Sequence, residues 1–219
     1  MYKIRNSLNH KEIGVYPQIE TGNYPIMYEN SNFIGNIHLK KITSHPDLTI
    51  PILRKKAKLT DLISAGIMGF SFKLLISTKL KLLLEKYQND NLQFFKTSLI
   101  YKDDENNDYW VVHPYRADYD FVDYAKSVIS KENILGTDPK EYVTINSTES
   151  FIQQRTEHRT DGKIWGFTIE KIAFKNGLTD LFVLDGVSGG IGYYVSEKLK
   201  NEIEEAGCTG IEFEPVEQA

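Results

Sequence analysis

The chain has 219 residues, of which 41% are hydrophobic, 26% charged and 12% aromatic. That aromatic content excludes a disordered chain, and the length suits one or two domains whose cores need no metal or disulfide. Its 26 Lys and Arg stand against 30 Asp and Glu, a net charge of -4, and only five of the bases are arginine. Nucleic-acid binders carry a basic balance and exploit the guanidinium fork, so that class is disfavoured.

Residues 1–58 are punctuated by Gly14, Pro17, Gly22, Pro25, Gly35, Pro46 and Pro51, which predicts short strands and loops and no long helix. Lys55-Lys56-Ala57-Lys58 reads as a solvated loop. Residues 72–76 form a strand-length apolar run. Ser77 follows as a helix N-cap, its hydroxyl placed to accept a free backbone N–H. Leu80, Leu83, Leu84 and Tyr87 then recur with helical period. Asn89-Asp90-Asn91 stops this helix, and residues 92–100 read as a strand. A turn is expected at residues 103–107 and a strand at 109–113. Further strands are expected at 142–145, 151–155, 164–169, 181–184 and 191–195, with a turn at 157–162. Ser196 caps a second helix with Leu199, Ile203 and Ala206 inward. Gly207 ends it, and Ile211 and Phe213 alternate in a last strand.

The two strand–Ser–helix–strand units are a repeat. A shift of 119 residues brings Ser77, Lys79, Leu80, Lys81, Glu85 and Phe94 onto Ser196, Lys198, Leu199, Lys200, Glu204 and Phe213. The expected fold is therefore α+β, with mixed sheets carrying two repeated strand–helix–strand units. The division is a strand and loop region over 1–58 and an α+β domain over 59–219, or one continuous domain.

Leu184-Asp185-Gly186-Val187-Ser188-Gly189-Gly190-Ile191-Gly192 imitates three active sites. As a nucleotide-binding glycine loop it lacks room, because 27 residues follow Gly192 and the fold needs several more strand–helix units. As a nucleophile elbow around Ser188 it fails on order, since the last histidine, His158, lies upstream. As a trypsin-like Gly-Asp-Ser-Gly-Gly string it has valine at position 187. The bland reading is a glycine turn between two strands. A serine hydrolase using Ser188 is kept as the alternative. The five histidines, His10, His38, His45, His113 and His158, show no zinc-ligand spacing. No cofactor, metal site or catalytic group is expected. The single Cys208 excludes an internal disulfide and fits a reducing compartment. The longest apolar stretch, residues 62–76, contains Lys73 and is too short to span a membrane. The N-terminus lacks a signal-peptide pattern, so a cytoplasmic location is expected.

Charge is unevenly spread. Residues 1–110 sum to +4 and residues 111–219 to -8. An acidic half favours a partner with a basic face. Residues 109–124 interleave Tyr109, Trp110, Tyr115, Tyr119, Phe121 and Tyr124 with Asp118, Asp120 and Asp123. Tyr and Trp dominate binding hot spots. Tyr115, Asp118, Tyr119, Asp120 and Asp123 are thus the candidate partner-binding residues. The competing reading is that these aromatics are core and the aspartates solvated turns.

Three stretches carry a family resemblance. The first is Asp61-Leu62-Ile63-Ser64 with residues 75–81 and Leu92-Gln93-Phe94-Phe95. The second is Tyr109-Trp110-Val111-Val112 leading to residues 120–127. The third, and most specific, is Val195-Ser196-Glu197-Lys198-Leu199-Lys200 followed by residues 205–215. In these the chain resembles the eleventh class of immunity proteins of bacterial polymorphic-toxin systems. The resemblance covers residues 60–130 and 190–216. It implies a non-enzymatic cytoplasmic protein that binds and neutralises a cognate secreted toxin; the charge balance and hydropathy set out above give no expectation of a nucleic-acid or membrane partner.

Overall fold

The computed structural model describes residues 1–24, 29–65, 70, 72–136, 138–157 and 163–216, and the backbone alone at 159–160. Among these the chain runs β1 (Tyr2–Asn6), α1 (His10–Ile13), β2 (Ile19–Gly22), a 3-10 turn at Ile34–Asn36, β3 (Pro51–Leu53), β4 (Leu62–Ile63), β5 (Leu74–Ser77), α2 (Thr78–Tyr87), β6 (Leu92–Tyr101) and β7 (Asp104–Pro114). A second 3-10 turn, Tyr119–Phe121, leads to β8 (Val128–Asn133), β9 (Glu141–Val143), α3 (Thr148–Thr156), β10 (Arg159–Thr160), β11 (Lys163–Lys171), β12 (Leu181–Val187), β13 (Gly190–Val195), α4 (Glu197–Glu205) and β14 (Ile211–Pro215). The strands form two sheets, ordered β2-β3-β6-β7-β5-β4 and β14-β1-β13-β12-β11-β8-β9, with β10 beside β11. The β3–β6 and β11–β12 pairs are parallel, so both sheets are mixed. The architecture is α+β.

The repeat organises both sheets. Ser77 ends β5 and caps α2; Ser196 follows β13 and caps α4. Each hydroxyl accepts from the backbone three residues on, at 3.2 Å from Leu80 and 3.1 Å from Leu199. Each also donates at 2.6 Å to an aspartate, Asp61 or Asp180. The backbone N–H of each serine reaches the carbonyl of that same aspartate. The equivalence thus extends upstream to Thr60-Asp61-Leu62 and Thr179-Asp180-Leu181, and both threonine hydroxyls bond the leucine carbonyl two residues on. Leu62 stands opposite Ile76, and Leu181 opposite Val195.

The strand between the two arms of each unit comes from different places. In the first unit β7 lies between β5 and β6; in the second β1 lies between β13 and β14. Val112 faces Phe94 as Ile4 faces Phe213. Lys81 Nζ sits over the Phe94 and Trp110 rings, and Lys200 Nζ over Phe213 and Tyr2. The second unit is the first with its last strand moved to the start of the chain.

Strand alternation gives every unit two apolar faces. The inner faces, with Leu62, Ile76 and Val112 from one unit and Ile4, Leu181 and Val195 from the other, share a central core with Leu80 and Leu84 of α2 and Leu199 and Ile203 of α4. Each of those four helix side chains is fully buried, which contributes about 1.5–3 kcal/mol apiece. The outer face of the first sheet packs Ile63, Leu75 and Val111 against Phe33, Ile34 and Leu53. The outer face of the second packs Phe182 and Tyr194 against Val122, Phe151 and Ile169.

Four local expectations are corrected. Residues 151–155 lie in helix α3, not a strand; Ser147 caps it from Ser150 N, and Phe151 is its buried residue. Such a helix shows no apolar period to read. The turn expected at 103–107 is confined to Lys102 and Asp103, both at positive φ, and β7 begins at Asp104. Ala206 is the exposed C-cap of α4, while Gly207 at φ +64 ends it. The turn expected at 157–162 is interrupted by β10, and its His158, Asp161 and Gly162 lie outside the described residues.

Candidate functional site

After β7 the chain crosses from the first sheet to the second, and the candidate partner-binding residues lie on this crossing. Tyr115 is half-buried; its hydroxyl donates to the Asp90 carboxylate, and Lys41 Nζ lies 5.0 Å from its ring centre. The Tyr115 hydrogen bond and then Lys41 hold the Asp90 carboxyl below its usual range, while burial and the Asp90 contact push the Tyr115 hydroxyl up to about 12.

Asp118 is buried. Its Oδ2 accepts from Asn91 Nδ2 at 2.7 Å and Val183 N at 2.9 Å, and its own N–H reaches Val183 O. It clips the α2–β6 turn to β12. Burial raises its pKa against the pull of those hydrogen bonds and of Arg116. Removing a buried, hydrogen-bonded carboxylate strands its donors, so Asp118 belongs to the framework and not to the exposed face.

Tyr119 is also drawn inward. Its ring packs edge-on against Phe151, and its hydroxyl accepts from Arg155 Nη1 at 2.8 Å. The same nitrogen bonds Asp185 at 2.8 Å, and His38 Nε2 lies 3.6 Å from that carboxylate. Burial would raise the Asp185 carboxyl, but His38 and Arg155 override it and hold it down at about 2. This inter-element network was missed from sequence, because its members are dispersed over four segments. Asp120 is exposed, and Asp123 is half-buried and 2.9 Å from Lys126. Tyr109 and Tyr124 are core residues, Phe121 stacks edge-on with Phe182, and Trp110 donates to Thr78. The crossing therefore presents Tyr115, Asp120 and Asp123 outward and uses Asp118 and Tyr119 to fix its shape.

The Gly-Val-Ser-Gly-Gly string forms the turn of the β12–β13 hairpin. Gly189 and Gly190 have φ of +83° and +91°, and a Cβ on Gly190 would sit 2.1 Å from the Phe72 ring. These glycines answer to turn geometry and a close approach. The Ser188 carbonyl accepts from Lys3 Nζ at 2.6 Å. Among the described residues no hydrogen bond joins Ser188 Oγ to a histidine; His38 faces Asp185, and His113 bonds Lys40 O. Burial lowers the His113 pKa to about 4. Burial raises the Cys208 thiol to about 11, which keeps it protonated and poorly nucleophilic. Among the described residues no cluster of three His, Cys, Asp or Glu could hold a metal, and no helix is long and apolar enough to cross a membrane.

No curated protein matches the chain. An immunity protein family, Imm11, matches residues 2–218, including residues 2–58, where the sequence alone carried no resemblance. With essentially its whole length matched, the chain belongs to the Imm11 immunity protein family.

Proposed function

We propose that the protein binds a cognate toxin of a polymorphic-toxin system in the cytoplasm and silences it by occlusion, without catalysis or a cofactor. The family match over residues 2–218 carries this reading. The -8 balance of residues 111–219 supports a toxin with a basic face, because opposite fields speed encounter and select the partner. Within that half we place the contact on Tyr115, Asp120 and Asp123, with Asp118 and Tyr119 positioning them from beneath. Tyr115 supplies an aromatic anchor already held by Asp90 and Lys41.

The test is growth of cells that express the toxin encoded beside this gene together with the wild-type chain or the Asp120→Lys/Asp123→Lys variant. Wild-type rescue is expected, with a Kd on the order of nanomolar. The variant should associate at least about tenfold more slowly at low salt, and the difference should shrink as salt rises. Failure of the wild type to rescue overturns the immunity reading. An unchanged association rate in the folded variant overturns only the placement of the contact.

A further inference from the structure

The outer face of the second sheet carries a cleft of about 510 Å³, none of whose lining residues belongs to the crossing, a size typical of small-ligand sites. Its apolar wall is Ile169, Ile172, Val187, Tyr194, Pro215 and Val216. Its charged end is built by β1, whose alternation sends Lys3 and Arg5 to this face and Ile4 to the central core.

Lys3 is 6% exposed. An ammonium has three donors, and Ser188 O is the acceptor it reaches among the described residues. No carboxylate of the described residues comes within ion-pair distance of it. A buried charge without a counter-charge is costly. Arg5 spends its Nε on Glu214 at 2.7 Å, and its two terminal nitrogens make no hydrogen bond to the described residues. The other carboxylate on the cleft, Glu170, is engaged by Ser130 and Lys140. Lys171 adds a further positive charge at the rim.

The repeat shows that the fold does not require this arrangement. The registers that equate Ile4 with Val112 also equate Lys3 with Val111, Glu214 with Phe95 and Tyr194 with Leu75. In the first unit those three positions are apolar and pack into the outer core. The second unit has kept the backbone and exchanged the apolar filling for a cation facing a cleft.

We propose that this cleft binds a carboxylate carried on an apolar group, the carboxylate held by Lys3 and Arg5 and the apolar part lying on Ile169, Ile172 and Val187. Arg5 offers its free edge to the carboxylate as a fork, and Lys3, whose cross-strand neighbour Glu214 is taken up by Arg5, gains a carboxylate in direct contact. The shared chemistry has two sources, a free small acid or the carboxyl end of a polypeptide.

Calorimetric titration of the full chain separates them, using phenylacetate, phenylacetamide, and a short peptide ending in phenylalanine as either the free acid or the amide. At least one acid should bind with a sub-millimolar Kd, at least about tenfold tighter than its amide. Binding of phenylacetate identifies a free acid; binding of the acid peptide alone identifies a polypeptide end. Lys3→Met should melt no lower than the wild type, since valine fills the equivalent position, and should weaken binding at least about tenfold. Arg5→Gln, a milder change, should weaken it at least about threefold. Equal binding of acid and amide, no binding of either acid at about 10 mM, or undiminished binding in both variants overturns the proposal.

Discussion

The two repeated units solve one packing problem with different strand sources. In the first, β4, β5, α2, β6 and β7 are consecutive in the chain; in the second, β12, β13, α4 and β14 are completed by β1. Their inner faces are nearly interchangeable, with Leu80 and Leu84 meeting Leu199 and Ile203. Their outer faces differ: one is an apolar core around Val111, the other an apolar core around Phe182 and Tyr194 with a cleft opening beside Lys3. Close packing and capping fix what the halves share, while the faces turned away from the pseudo-symmetric core are free to vary.

The two units depend on each other most in the central core. Leu80→Ala and Leu199→Ala should each cost about 3 kcal/mol, in the range for fully buried leucines. Urea unfolding should show one transition for each variant, because both side chains belong to one cluster. Two separated transitions would mean that the units fold independently.

The next effect sharpens the outer-face difference. Burial, followed by Arg5, lowers the Lys3 pKa to about 8 against a partial offset from Glu214. The unfolded chain therefore binds more protons than the native one between pH 8 and the ordinary lysine value. The Lys3 contribution to stability should rise across that window, by on the order of 3 kcal/mol if the whole shift is expressed, while Cys208, whose thiol burial raises to about 11, works in the opposite direction over the upper part of it. Buried Lys73, also held at about 8, contributes in the same direction as Lys3. Lys3→Met should make stability rise less steeply with pH than in the wild type, and Val111→Met should leave the slope intact. Denaturant midpoints from pH 7 to about 10 measure both.

A smaller asymmetry separates the two cap aspartates. Asp61 accepts from Ser77 and from both the N–H and hydroxyl of Thr209, and lies 3.2 Å from Lys79. Asp180 accepts from Ser196 and lies 3.7 Å from Lys198. Asp61→Ala should cost about 2 kcal/mol and Asp180→Ala about half of that. Burial pushes the Asp61 carboxyl up, but Ser77, Thr209 and Lys79 outweigh it and hold it down. Its contribution is present at neutral pH and lost as the carboxyl protonates in acid. Equal losses in the two variants would refute the asymmetry. An effect of the same size as the Asp180 loss is symmetric: Ser77→Ala and Ser196→Ala should each cost about 1 kcal/mol by the same denaturation measurement.

The caps and helices were legible in the sequence because they rest on contacts within a few residues. Ser77 and Leu80, or Ser196 and Leu199, announce themselves locally. The substitution of β1 for a β7 equivalent was not legible, because Tyr2 pairs with Val195 across almost the whole chain. Helix α3 was hidden by having Phe151 as its buried residue. At the candidate interface, exposed Asp120 and buried Asp118 look alike in sequence; what separates them is Asn91 and Val183, 27 and 65 residues away from Asp118. Lys3 left a faint signal, the alternation of Tyr2-Lys3-Ile4-Arg5, which places both cations on one strand face.

The placement of β1 also sets a timetable. It leaves the ribosome before every other strand of the fold, yet its two neighbours, β13 and β14, follow almost all of the other elements. At about 5–20 residues per second, roughly 10–40 s separate the emergence of β1 from that of its partners. The first unit has all its strands in hand long before, so it can assemble on the nascent chain. The second unit and the shared core must wait until β13, α4 and β14 have emerged. A product cut short before β13 would lack the strands that flank Lys3 and half of the helix core, so native assembly tests whether each newly made copy carries β13, α4 and β14.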